Sequence, residues 1–460
     1  MQTTSSIQNI TQSSNPHELR RCLSALDLTL LGIGAIIGAG IFVITGIAAA
    51  TQAGPGIVLS YVLAGVACIF CAFSYAELAS SVGGCGSAYG YAYAAGIGRF
   101  AAWLIGWNLL MEYGMNAVII SIGWSGYVDH FLSAIGIVLP RSLVTDPFHS
   151  GIVNLPAIVI LIALASLLSV GTKRSALFNN IIVYIKLAVI VLFISVGMTH
   201  VNTDNWHPFL PFGVQGIVNG AGLIFFAFIG FDAVSTAGDE AKNPKRDLPI
   251  GILASLLVCT IVYVIVAGIL TGLMYYPTLN ISSPVATALI NHGHHFTAEI
   301  VAIGAIAGLT TATLAFYYGF TRVYLAMSRD GFLPESAAKL HMKSGTPRRL
   351  IWSTAIVMSI CAGFLPIIQI ANLVNIGTLA IFIAVCISVI VLRVTKPNMP
   401  RPFKAPWSPY FPMIGIALCL YLMITLPAVT WLSFVLWTAA GIIIYYAYSK
   451  ASNLRKTEQA

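Results

Sequence analysis

Three features of this chain are of a kind that does chemistry, and all three sit in apolar surroundings. The segment LLGIGAIIGAGIFVITGIAAA carries glycines at 32, 34, 38, 40 and 46. Gly38-Ala39-Gly40 falls near its middle, where the backbone freedom of glycine lets a helix unwind. Unwinding frees amides at the start of a half-helix, an arrangement suited to a carboxylate. The same residues have a plainer use, since Gly34 and Gly38 form a GxxxG pair for close helix packing; taken alone, this segment favours packing. A second segment, AGLIFFAFIGFDAVSTAGDEAKNPKRDLP, places Gly230 at similar depth with the ionisable Asp232 beside it. The third feature is Lys186 in NNIIVYIKLAVIVLFI, about eight residues and so roughly 12 Å from the segment's end. A lysine near the centre of a membrane helix costs on the order of 2.5–3.5 kcal/mol. Either it snorkels to the surface, or it is a buried amine able to take up and release a proton. The second is the sharper reading.

The elements that position these residues follow from composition. The chain has 460 residues, 58% hydrophobic and 8% charged, far below the roughly 25% charge of a soluble protein, so its exterior is built for lipid. Apolar runs of about twenty residues recur, each long enough to cross a bilayer core. Backbone groups in lipid must be satisfied within the segment, which makes the runs helices. The expected class is an all-α polytopic membrane protein with twelve transmembrane helices near 28–50, 56–79, 101–127, 152–171, 178–198, 217–237, 249–274, 299–327, 350–366, 370–393, 410–427 and 430–449. With the N-terminus in the cytoplasm, 21 of the 23 Lys and Arg fall on the cytoplasmic side, Arg141 outside and Lys186 within a span. That asymmetry sets orientation by the positive-inside rule, and it reads the net charge of +8 as membrane topology rather than nucleic-acid binding. Residues 1–19 are polar and read as a disordered cytoplasmic tail; 450–460 form a second cytoplasmic tail.

The remaining polar groups are weaker signals. Glu112 in LLMEYGMNAV reads as structural, hydrogen-bonded within the bundle, ahead of a place in a proton route. Glu77 and Arg322 lie near cytoplasmic helix ends, where pairing or headgroup contact is expected. Cys68 and Cys71 form a CxxC inside an apolar helix, where packing is expected ahead of metal or redox chemistry. No cysteine falls in an extracytoplasmic loop, so structural disulfides are not expected. Seven of the nine histidines (130, 149, 200, 207, 292, 294 and 295) fall outside; the HGHH run at 292–295 could bind metal, but a solvated loop is the expected reading. A P-loop, an HExxH and a GxSxG are absent from the sequence, leaving no basis for ATP-driven chemistry or an enzyme. No catalytic residue, cofactor or metal is expected.

Interrupted helices at matching places in two halves, spans 1–5 and 6–10, are the sign of an inverted-repeat transporter. Several separated stretches agree in order: IGAIIGAGIF (33–42), FSYAELAS (73–80), GSAYGYAY (86–93), FFAFIGFDAVSTAGDEAKNPKRDLPIGI (225–252), AMSRDGFLP (326–334) and RPFKAPW (401–407). Through them the chain resembles the amino acid–polyamine–organocation (APC) superfamily, and within it bacterial members of the cationic amino acid transporter (CAT) family. The resemblance implies a leucine-transporter-like fold of two inverted five-helix repeats, about 24–198 and 217–393, plus two C-terminal helices at about 410–449, together forming one transporter domain over 20–449. It implies alternating access, with the substrate α-carboxylate at Ile36, Gly38, Ala39 and Gly40 and the α-amino group at carbonyls around Phe226, Ala227 and Ile229. Lys186 falls where proton-coupled relatives carry a lysine, its ammonium standing in for a sodium held between spans 1 and 8. Thr310 and Thr311 retain hydroxyls that such a sodium could use. Ile97 departs from the usual glycine-glutamate pair in a cytoplasmic loop, with an effect expected on gating. Phe316 is placed at the side-chain pocket with Phe231 and Ala315 near it, which suits small neutral side chains; Asp232 could instead receive a cationic head group.

The expected function is a secondary amino acid permease, a proton-coupled symporter of an L-amino acid in a bacterial plasma membrane with both termini cytoplasmic. Membrane lipid is its surroundings, and a small membrane subunit is left open. The alternatives are an amino acid or polyamine exchanger, for which a titrating Lys186 has no use, and a non-transporting membrane sensor.

Overall fold

The computed structural model describes residues 23–82, 88–170, 176–334 and 346–458, with side chains at all of these except 176–179, 239 and 448–458. The expected tail 1–19, Cys22, Cys85 and the basic residues Arg20, Arg21, Lys173, Arg174, Lys339 and Lys343 lie outside the described residues. In chain order the α-helices are α1 Ala25–Ile36, α2 Thr45–Ala48, α3 Ile57–Val82, α4 Ala88–Ala95, α5 Arg99–Ala134, α6 Leu155–Val170, α7 Ala176–Gly197 and α8 Gly213–Ile224. They continue as α9 Ala233–Thr236, α10 Pro244–Leu273, α11 Pro284–Ile290, α12 His295–Arg329, α13 Arg348–Phe364, α14 Ile367–Thr395, α15 Tyr410–Ile424 and α16 Ala428–Glu458. Among the described residues the strand-like contact is one isolated parallel bridge between Leu23 and Ala241.

Among the described residues seven helical stretches are long and apolar enough to cross a membrane, one of them running Ala25–Val82 through the break after α1; Leu155–Val170 and Tyr410–Ile424 are shorter apolar helices. Large apolar side chains stay exposed at helical spacing, as with Leu59, Val62 and Val66 on α3, Leu257, Ile261 and Ile265 on α10, and Ile356, Val357 and Ile360 on α13. An apolar surface of that extent is stable only against lipid. The chain is therefore a multi-pass membrane protein. Inside it, α3 lies along α10, α5 along α12, and α1 against α10 and α7.

Two expected spans are not continuous helices. The first stops at Ile36, resumes as a π-helical turn at Gly40–Ile44, and after α2 passes through a second π turn at Ala49–Ala53 and a 3-10 turn at Gly54–Gly56. The sixth is a helix to Ile224, a 3-10 turn at Phe225–Phe228 and then a non-helical step before α9. Helices α4 and α11 went unread in the sequence because each is too short to register as an apolar run. Helix α16 runs to Glu458, past the boundary expected at 449.

The start of α1 is fixed by a reciprocal cap. The Ser24 amide donates to Asp27 Oδ2 at 2.9 Å, the Asp27 amide donates to Ser24 Oγ at 3.3 Å, and Asn180 of α7 donates to Asp27 Oδ1 at 2.9 Å. Near the same end, Glu77 of α3 is buried and accepts from Arg393 Nε at 2.9 Å, Arg393 Nη2 at 2.6 Å and the Ala405 amide at 2.7 Å; Arg401 Nε stands 3.6 Å away. The pairing expected of Glu77 is present, and it joins α3, α14 and the loop before α15. Arg322 instead lies over the Tyr318 ring, 4.6 Å from its centroid. Removing one partner of a buried ion pair leaves the other uncompensated and costs about 3–5 kcal/mol. Glu77→Ala should therefore lower the thermal unfolding midpoint in detergent far more than Arg322→Ala; equal midpoints would show that the cluster is not a structural tie.

Candidate functional site

The break in α1 leaves its last carbonyls without helical amides, and lipid offers no water to satisfy them. Two side chains from other helices do so. Lys186 of α7 donates from Nζ to the carbonyls of Gly34 at 2.8 Å and Ile37 at 3.1 Å. The Tyr263 hydroxyl of α10 lies 2.8 Å from the Ile36 carbonyl and 3.0 Å from that of Ala227. Beyond the break, Tyr127 of α5 donates to the Phe42 carbonyl at 2.8 Å. Lys186 is 1% exposed and turned inward, while its neighbours Tyr184, Ile185 and Val191 are exposed. It does not snorkel. Its stem crosses Gly308 of α12, where an added Cβ would come within 2.9 Å of the lysine Cγ and Cε.

The second break follows the same rule. Asn375 of α14 donates to the carbonyls of Gly222 and Leu223, each at 3.0 Å, at the end of α8. Ile229 is extended, and Gly230 has φ +125°, a conformation that side chains rarely tolerate. Asp232 is buried, accepting from the Gly230 amide at 3.2 Å, and the Tyr113 hydroxyl of α5 also meets its carboxylate. The two breaks touch. A Cβ on Gly40 would meet Ala227 Cα and Cβ at 2.5 Å, and one on Gly230 would meet the Ala35 carbonyl carbon at 2.9 Å. At Gly38 the nearest atoms are 3.8 Å away or more, so the middle glycine has room that its neighbour lacks.

Of the residues singled out in the sequence, Ile36, Gly38, Ala39, Gly40, Phe226, Ala227 and Ile229 all lie at the two facing breaks, and all are buried. Phe316 of α12 is buried with its ring 5.7 Å from that of Tyr113 on α5. Two of its expected companions lie elsewhere. Ala315 is exposed, because successive helical residues point about a hundred degrees apart, and Phe231 packs on Tyr75 and Phe382. The hydroxyls of Thr310 and Thr311 bond their own helix, at 2.7 Å to Ile306 O and 3.0 Å to Gly308 O, and Trp124 donates to Thr310 at 2.9 Å. Glu112 is buried, and the Thr378 hydroxyl is the side-chain group beside its carboxylate. Tyr263, Asn375 and Tyr127 were missed. Each is one of several polar side chains in its helix, and nothing in the sequence marks it out from the others.

Paired breaks held by side chains from neighbouring helices are the architecture of a carrier, and the sequence matches one family along nearly its whole length. Residues 23–448 match the amino acid permease family. The chain belongs to that family. This permease is 46% identical to the methylthioribose transporter of Bacillus subtilis (strain 168), over 97% of each chain. It is 47% identical to the branched-chain amino acid permease BcaP of the same organism, again over 97% of each. To the vacuolar cationic amino acid transporter 4 of Arabidopsis thaliana it is 34% identical, over 85% of this chain and 66% of that one. The relatives are transporters, and this permease is a membrane transporter rather than an enzyme.

The packing at the breaks gives a graded expectation for the permease. Gly40→Ala and Gly230→Ala should each destabilise the purified protein by roughly 1–3 kcal/mol, through overpacking at Gly40 and through backbone strain at Gly230. Gly38→Ala should stay close to wild type. Thermal unfolding in detergent measures all three, and equal midpoints would mean that the breaks do not pack as tightly as described. Tyr263→Phe removes the hydroxyl shared by two carbonyls and should cost about 1–3 kcal/mol in the same assay, the usual penalty for an unsatisfied buried polar group.

Proposed function

We propose that this permease is a secondary transporter that carries an L-amino acid together with a proton by alternating access. In this reading it lies in a bacterial plasma membrane, crosses it twelve times and keeps both termini in the cytoplasm. The span count joins α1 with α2 and α8 with α9 as two broken spans, and adds α3, α5, α6, α7, α10, α12, α13, α14, α15 and α16. Two five-helix repeats then cover about 24–198 and 217–393, with two further helices at about 410–449. Corresponding members of the two repeats lie against one another, α3 with α10, α5 with α12 and the first break with the second. That pattern supports a two-fold relation between the halves.

The substrate reading rests on helix polarity. Freed amides at Gly38, Ala39 and Gly40 suit the α-carboxylate, with Ile36 closing that side. The carbonyls of Phe226, Ala227 and Ile229 suit the α-amino group, those of Phe226 and Ala227 through the lone pairs left over from the bonds they accept from the Ile229 amide at 3.2 Å and the Tyr263 hydroxyl at 3.0 Å. Phe316 and Tyr113 present aromatic bulk where a side chain would lie, which favours a neutral apolar substrate over a cationic one. The branched-chain permease among the relatives agrees with that choice. The methylthioribose transporter, as similar in sequence, shows why it needs testing: the same backbone dipoles can bond hydroxyl groups as well as an amino acid's ends.

The observation that carries the coupling proposal is the Lys186 ammonium on the Gly34 and Ile37 carbonyls. Charge-assisted hydrogen bonds are about twice as strong as neutral ones, so losing the proton loosens α1 from α7 at the break. An exchanger has no need of that device. The test is uptake into sodium-free liposomes holding wild type or Lys186→Ala, with labelled leucine, arginine and methylthioribose, with and without an inward proton gradient. Gradient-driven leucine accumulation should occur in wild type and vanish in Lys186→Ala, while leucine still binds to the variant. Uptake that ignores pH, or that depends on sodium or on internal amino acid, would exclude proton symport; preference for methylthioribose would exclude the amino acid reading alone.

A further inference from the structure

The HGHH run read in the sequence as a solvated loop acquires a partner in the fold. The 3-10 turn Met198–His200 ends α7, and His294 is the residue that caps the start of α12. Their Nε2 atoms are 3.2 Å apart. Two imidazole nitrogens bound to one tetrahedral zinc ion, each at about 2.0–2.1 Å, are separated by roughly 3.3–3.4 Å. The pair is thus already spaced as two ligands of one ion.

The other ring nitrogens strengthen the case. His200 Nδ1 lies 3.2 Å from the Val196 carbonyl and 2.8 Å from Thr199 Oγ1. His292 Nδ1 lies 2.9 Å from the Ala288 carbonyl. A carbonyl accepting from Nδ1 places the ring proton there and leaves the Nε2 lone pair for a metal, the usual supporting arrangement around histidine ligands. The His292 ring centre is 5.6 Å from that of His200, and that of His294 is 4.6 Å away. All three residues are half-buried. Among the described residues no three ligating side chains already converge on one point, so a third protein ligand requires the His292 ring to turn.

We propose that His200 and His294, joined by His292 and completed by water, form a site for a divalent transition-metal ion of the zinc class that clasps α7 to α12. The clasp lies at the opposite end of α7 from Asn180 and its bond to α1. It bridges the helix that bears Lys186 and the helix that its stem crosses, so an ion there would hold those two helices together. Histidine rings coordinate in the neutral form, each keeping its single proton on Nδ1, and for His294 this means that the proton now shared between the two Nε2 atoms moves to its own Nδ1. The proposal does not depend on what the permease carries.

The test uses the full-length protein in detergent, freed of any affinity tag and of metal by a chelator. Zn2+ is titrated by calorimetry, and Co2+ by its visible absorption, which reports tetrahedral coordination. One ion should bind per chain, with Co2+ giving the intense bands of a tetrahedral nitrogen site. His200→Ala and His294→Ala should each weaken binding by more than about tenfold, the range that even supporting residues of a metal site command. His292→Ala should weaken it less, and His295→Ala should leave it unchanged. Zn2+ should also raise the thermal unfolding midpoint of wild type but not of His200→Ala. The proposal is overturned if wild type shows no saturable binding, or if His200→Ala and His294→Ala bind as wild type does; in either case the close nitrogens are a hydrogen-bonded histidine pair and nothing more.

Discussion

A helix broken inside lipid leaves backbone carbonyls and amides with no water to turn to, and that debt organises much of this molecule. Each unsatisfied group in hydrocarbon costs several kcal/mol, so a break survives only where other helices bring donors to it. Here the donors come from three directions: Lys186 from α7, Tyr263 from α10 and Asn375 from α14. The placement of those helices around α1 and α8 follows from the need. Tyr263 is the most economical of them, because one hydroxyl faces a carbonyl from each break and so couples the two.

Lys186 shows how two unfavourable terms cancel. Burying its amine costs on the order of 2.5–3.5 kcal/mol by itself, and leaving two carbonyls of α1 open costs a comparable amount. Brought together, the ammonium and the carbonyls satisfy each other at 2.8 and 3.1 Å. Small residues make the meeting possible. Gly308 gives the lysine stem its path, and Gly40 lets α1's continuation lie on Ala227 at a distance that no side chain would allow. Close packing thus falls at Gly40 rather than at Gly38 of the expected GxxxG pair, whose nearest neighbours are 3.8 Å away, and Gly230 supplies the positive φ of the second break.

The two breaks, the buried lysine and the family were legible in the sequence, because each rests on a local signal: glycine at mid-span, an ionisable residue in an apolar run, or an ordered set of motifs. What was not legible depends on which face of a helix meets which neighbour. Ala315 and Phe316 are adjacent in sequence, yet one is exposed and the other buried, and nearly uninterrupted apolar composition hides that phase. Phe231 was placed near the side-chain pocket on the family resemblance, but the turn at Gly230 sends it to Tyr75 and Phe382. Tyr263 and Asn375 carried no signal of their own, each being a polar group whose partner is a backbone atom with no identity in sequence. The contact between His200 and His294 spans 94 positions and belongs wholly to tertiary structure.

The lower half of α1 is gripped on two sides, and the grips differ in kind. On one side Leu23 and the segment after α9 exchange backbone hydrogen bonds, the Leu23 amide to Glu240 O at 2.9 Å and the Lys242 amide to Leu23 O at 2.8 Å. On the other, α7 holds α1 through Asn180 at its start and Lys186 at its end. Peptide hydrogen bonds do not titrate, so the first grip has the same strength whether or not a proton is bound. The second grip includes an amine whose bonds weaken when its charge is lost. Of the two grips, the contact of α1 with α7 is the one a proton can alter, while the bridge at Leu23 keeps the lower halves of the two broken helices together. A ligand can shift a two-state equilibrium only through a contact that differs between the states, and of these two grips only the second offers the proton such a contact, through the Lys186 amine and the Asp27 carboxylate that accepts from Asn180.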